Sequence, residues 1–165
     1  QDSEIGWVNW DLSEDGKALL KFVKRLIKLR LAYPILRRGR FLVGNYNEDI
    51  GVKDVTWLAP DGSEMSIEQW EEAHSKCLGM LLDGRAQETG IRRKGGDATL
   101  LLVVNAHHDI VNFTLPEVPD GGFWTCMIDT NQPSIRGQER FEFGHEYSVT
   151  GRSLLLFELQ HEEEE

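Results

Sequence analysis

Cysteine is scarce in this 165-residue chain: Cys77 and Cys126 are the only two, far apart and without CxxC spacing. That excludes a disulfide framework and gives no zinc-ligand pattern, so both read as free thiols. Long apolar runs are missing as well, and nothing approaches the ~18 consecutive apolar residues of a membrane-spanning helix. Positive charge is the minority sign. Lys and Arg number 18 against 28 Asp and Glu, a net charge of −10, which argues against nucleic-acid backbones and anionic membrane surfaces as partners. There is no GxSxG nucleophile elbow, no glycine-rich phosphate loop after a strand, and no Cys/His pairing. The chain therefore offers no catalytic residue, no metal-ligand set and no cofactor motif. It also lacks an initiator Met at Gln1, which sets the expectation that it is a piece of a longer protein; that no signal peptide precedes Gln1 then says little about the parent.

What is present is the material of a globular fold. Apolar residues make up 40% of the chain and there are five Trp, enough for one domain with a real core. Ser13, Glu14 and Asp15 supply a hydroxyl and negative charge where helix N–H groups need acceptors. Leu19, Leu20, Phe22, Val23, Leu26, Ile27, Leu29 and Leu31 follow at helical spacing, with Lys21, Lys24, Arg25, Lys28 and Arg30 opposite, and Pro34 ends the run. So wide an apolar stripe needs covering, and left uncovered it predicts self-association.

From about Phe41 the pattern shifts to short apolar or alternating runs closed by turn residues: VTWL before Pro60-Asp61-Gly62, then KCLGMLLDG, TLLLVVNA, DIVNFTLP, FWTCMIDT, HEYSVT and RSLLLFEL. Their spacing suits an antiparallel sandwich. Ser66 is placed to cap a short helical turn over residues 67–73. Residues 85–97 (RAQETGIRRKGGD) read as a mobile loop and the HEEEE end as a frayed tail.

His107-His108-Asp109 is the most tempting chemical cluster. Neighbours on a strand point to opposite faces, so two adjacent histidines there are poor partners for one metal; the position predicts a hairpin turn between two strands. Asp129-Thr130 reads as a strand-end turn, and Asn112-Phe113-Thr114 as an accidental match to a glycosylation acceptor. With 28 carboxylates, a glycosidase-like pair separated by roughly 5–5.5 Å is bound to occur somewhere and selects none. Among the tryptophans, Trp124 lies in an apolar strand and reads as core. For Trp57 in VTWL and Trp70 on a polar helical turn, core packing is again the first expectation, with sugar stacking on an exposed ring as the alternative.

The opening QDSEIGWVNWDL with the helix LIKLRLAYPILRR resembles the exit from the catalytic barrel of isoamylase-type glycogen debranching enzymes, in glycoside hydrolase family thirteen. DVTWLAPDGSEM followed by Trp70 and CLGMLLDG is similar to the start of their C-terminal domain. LLLVVNAHHDIVNFTLP, FWTCMIDT and YSVTGRSLLLFEL resemble its later strands, in the same order. The resemblance implies an all-β antiparallel sandwich preceded by one long amphipathic α-helix. It divides the chain into a barrel end at 1–38, a sandwich at 39–160 and an acidic tail at 161–165. It implies a cytoplasmic parent that hydrolyses α-1,6-glucosidic branch points with retention, through an Asp nucleophile and a Glu acid/base that lie outside this chain. Its partners would be the catalytic barrel of the same parent and branched α-glucan such as glycogen or limit dextrin. Two roles are open: a cap that packs on and stabilises the barrel, or a glucan-binding module. For the second, Trp57 and Trp70 are the candidates within the sandwich. Glu4 and Trp7, with Asp2, are the candidates beside the cleft, because barrel active sites lie where the strands end. Trp10 is expected to staple barrel to sandwich.

Overall fold

A computed structural model describes residues 2–39, 41–49, 51–86, 98–132 and 139–161. Helix α1 (Glu14–Ala32) begins where the Ser13 hydroxyl accepts the Gly16 amide at 3.1 Å. It ends before Tyr33, whose extended backbone is what a following proline demands, and Pro34–Arg37 form a single 3₁₀ turn. Next come a small hairpin of β1 (Tyr46–Asn47) and β2 (Val52–Lys53), then strand β3 (Val55–Leu58) and helix α2 (Ile67–Glu71). The remaining strands are β4 (Cys77–Leu82), β5 (Leu100–Asn105), β6 (Val111–Thr114), β7 (Phe123–Asp129), β8 (Arg140–Phe141), β9 (Glu146–Val149) and β10 (Ser153–Gln160).

The expected sandwich is present and lopsided. Six antiparallel strands run in the order β3-β4-β5-β10-β7-β8, and β6 pairs with β9 in a separate two-stranded sheet. Leu101, Val103, Trp124, Leu155 and Phe157 from the large sheet meet Phe113 and Val149 of the small one. Gly79 gives up its side chain to this layer: a Cβ there would sit 2.6 Å from Cζ of Phe113. Strands β5 and β6 do not form the expected hairpin. They belong to different sheets, so residues 106–110 are an arch across the sandwich.

Antiparallel registers line up rows of side chains on the large sheet's outer face. Val55, Leu82, Leu100 and Glu158 form one row; Trp57, Met80, Leu102, Leu156 and Ile128 form the next; Leu78, Val104 and Leu154 form a third. Helix α1 lays Phe22, Leu26 and Leu29 on this face beside Tyr33, Ile35 and Leu36, over the end nearest Leu100. Tyr33 donates its hydroxyl to Glu158 at 2.9 Å, and burial together with that carboxylate raises the phenol's pKa well above its ordinary value. A bulge between β10 and β7 leaves Met127 without a partner in the ladder. Cys126 thus stays in the inner layer while Met127 and Ile128 both pack outward, and the Met127 carbonyl accepts the Arg25 guanidinium.

Two stripes run down α1. Positions 22, 26 and 29 are half-buried on the sheet, whereas Leu19, Leu20, Val23, Ile27 and Leu31 face outward and are exposed. The sequence shows one wide stripe; the sheet covers only one side of it. Of the expected loop, Arg85 lies in a 3₁₀ turn where Asp83 holds its guanidinium at 2.7 Å, and residues 87–97 lie outside the described residues. The same is true of 162–165 in the expected tail.

Candidate functional site

Trp57 and Trp70 come together; Glu4 and Trp7 do not join them. Trp57 shares the outer sheet face with Val55 and Met80, on the edge strand. Its ring meets that of Trp70 edge-to-face, with centroids 5.7 Å apart and planes at 78°. Trp57, expected half-buried, keeps 37% exposure; Trp70 packs its turn against Trp57 as expected but keeps 51%, so neither ring lies in the core. The physical reason is that α1 covers the other end of this face, so nothing among the described residues roofs the edge.

Local chemistry fixes the pair. Asp61 accepts the Ser63 amide at 2.9 Å and its hydroxyl at 2.6 Å, which lowers the carboxyl's pKa, and Gly62 takes φ +82° to close the turn. The returning chain then bonds β3 through the Met65 amide and the Trp57 carbonyl at 2.9 Å, protecting part of the edge. Ser66 and Gln69 form a reciprocal capping box that starts α2 and presents Trp70 one turn later.

Glu4 lies in a 3₁₀ turn (Glu4–Gly6), and Trp7 donates its indole N–H to Asp2 at 2.6 Å. The hydrogen bonds described for residues 2–12 stay within that segment, and Trp10 is 83% exposed. Trp10 staples nothing among the described residues. Trp124 is in the core as expected, with no exposure.

The arch between the sheets holds the one group of three potential metal ligands found among the described residues, His107, His108 and Asp109. Strand alternation, which separated the two histidines in the sequence reading, does not apply to a bend. The rings lie 4.2 Å apart at 34°. Behind them Asn105 is buried: its amide nitrogen donates to Asp109 and Val149 carbonyls at 3.0 Å and to Thr150 at 3.2 Å, while its oxygen accepts the His107 amide at 2.9 Å. This clamp was missed as a feature of the site; its only signal was an Asn at a strand end before a turn.

The isoamylase C-terminal family model matches residues 54–158, from the start of β3 almost to the end of β10. The chain belongs to the isoamylase C-terminal family. Similar proteins carry the same association. A glycogen operon protein GlgX homolog of Mycobacterium tuberculosis is 33% identical over 159 residues, covering 94% of this chain and 22% of the relative. A glycogen debranching enzyme of Dickeya chrysanthemi is 33% identical over 117 residues, 71% of this chain and 14% of the relative. An isoamylase of a Flavobacterium species is 27% identical over 165 residues, 94% of this chain and 20% of the relative. The chain thus spans about a fifth or less of these longer proteins. As an isoamylase C-terminal domain, the β3–β10 unit accounts for every strand of both main sheets, and α1 lies ahead of the family match.

Proposed function

We propose that this chain is the C-terminal region of a cytoplasmic glycogen debranching enzyme, and that it packs on and stabilises the catalytic barrel without supplying catalytic residues. In this reading residues 1–38 are the end of the barrel and 39–160 the sandwich. Hydrolysis of α-1,6 branch points belongs to the parent's missing strands. The observation that carries the reading is the second apolar stripe of α1. Leu19, Val23 and Ile27 recur every fourth residue, exposed, on a helix whose first stripe already lies on the sheet. A helix apolar on two sides is built to sit between two bodies.

The test replaces Val23 by Glu and Ile27 by Lys, an i,i+4 pair that preserves the helix. In the isolated chain the fold and melting temperature are expected to hold, and self-association seen by sedimentation is expected to fall. In the full-length parent the same pair buries charge at the joint, and soluble yield and melting temperature are expected to drop. A parent indifferent to both substitutions sinks the reading.

A second reading, glucan binding, is favoured by the exposed Trp57–Trp70 pair, whose crossed rings offer two aromatic faces to sugar C–H groups. Glu4 and Trp7 would then border the cleft of the whole enzyme. Affinity electrophoresis in glycogen is expected to retard the chain, with Trp57→Ala and Trp70→Ala each weakening retention at least fivefold. Equal mobility of all three proteins in glycogen and in plain gel would end it.

A further inference from the structure

We propose that His107, His108 and Asp109 form a binding site for one borderline divalent transition metal ion, zinc foremost, at the arch between the two sheets. One ligand atom from each residue lies within 4.8 Å of the others. The His108 Nε2 and an Asp109 carboxylate oxygen are already 3.1 Å apart. Zinc bonds of about 2.0–2.1 Å place tetrahedral ligand atoms roughly 3.4 Å from one another, so side-chain rotation alone closes the set. The ring centroids lie 4.2 Å apart with the planes tilted by 34°, so the two imidazoles are close neighbours at the arch.

The donor set names the ion. Two imidazoles and a carboxylate suit zinc, nickel or copper, whereas calcium and magnesium require mostly oxygen. Three protein ligands on an exposed tip leave further positions to water, as in open zinc sites.

The backbone is already fixed. Asn105 ties both ends of the arch, and the Arg152 amide donates to the His107 carbonyl at 2.9 Å. Gly151 packs against the His108 carbonyl so closely that a Cβ there would collide with it. Ligands on a rigid loop lose little freedom on binding, which favours affinity. His107 Nδ1 accepts the Asp109 amide at 3.1 Å and is therefore unprotonated in this tautomer. If the ion takes that lone pair, the imidazole rotates off the Asp109 amide, which water then solvates at the exposed bend. The two thiols do not compete: burial pushes Cys77 up to about 11 and Cys126 up to about 12, so neither is a thiolate at neutral pH.

The test titrates the 165-residue chain with zinc by calorimetry and with cobalt(II) by visible absorption, in excess magnesium. One equivalent is expected, with a cobalt spectrum free of thiolate charge transfer. His107→Ala and His108→Ala are each expected to weaken zinc at least tenfold, with near-ultraviolet circular dichroism unchanged. His74→Ala and His161→Ala are expected to leave binding intact. No saturable equivalent, binding retained in both arch histidine variants, or binding lost with His161→Ala overturns the site.

Discussion

Trp124→Ala is expected to destabilise the fold by about 3–5 kcal/mol, the range for deleting a fully buried large aromatic. Its ring has no exposure and sits on β7 between Leu159 and Phe141 in the ladder. Its indole N–H donates to the Pro116 carbonyl at 2.8 Å, so truncation leaves a cavity and a carbonyl without its partner. At this chain length each kcal/mol moves the melting temperature by roughly 2–4 °C, which makes the loss about 10 °C. Trp70→Ala, on a half-exposed ring, is expected to change stability by less than about 1 kcal/mol. Paired thermal melts of the two variants check the claim. The argument fails if the surface variant is the more damaged.

The contrast shows what a sequence can and cannot say. Trp124 lies between Phe123 and Thr125 in the run FWTCMI, where Thr125 is the one polar position, and burial on both faces follows. Trp57 alternates just as well with Val55, and nothing in VTWL says whether that face is roofed at the edge. The roof is α1, and its footprint depends on tertiary placement. Helix ends were readable because their chemistry is local: the Ser13 and Ser66 hydroxyls and Pro34 act within one turn.

Sheet membership was not readable. A period of two reports which face a residue occupies, not which strand lies beside it. DIVNFTLP and HEYSVT look like partners for the long strands, and instead pair with each other as β6 and β9. The Met127 bulge is hidden for a similar reason: in Cys126-Met127-Ile128 all three residues are apolar, so a break in alternation leaves no mark. His107 and His108 were set apart by a rule for strands and brought together by a bend.

Asn105 carries the second large effect. It is buried, and its side chain joins the arch to the β9–β10 turn through four hydrogen bonds, three of them donated to carbonyls. Asn105→Ala is expected to cost about 2–4 kcal/mol, since several buried backbone groups lose partners at once. Asn105→Asp is the sharper probe, because it keeps the shape and reverses the hydrogen-bonding role. An ionised carboxylate there faces three carbonyl oxygens with only the His107 amide as donor. The charged form is disfavoured, and the folded-state pKa of this Asp rises above the ordinary ~3.9. An acid whose folded pKa is raised contributes stability that is full below the unfolded pKa and is lost as pH rises through the folded one. The stability difference between wild type and Asn105→Asp is therefore expected to be smallest near pH 4 and to widen toward pH 7, while that for Asn105→Ala stays flat. Urea titrations of all three proteins at each pH separate this from the acid response of the chain as a whole. A pH-independent gap for the Asp variant would mean that the carbonyls turn away from the charge, and that the arch is looser than four hydrogen bonds of 2.9–3.2 Å require.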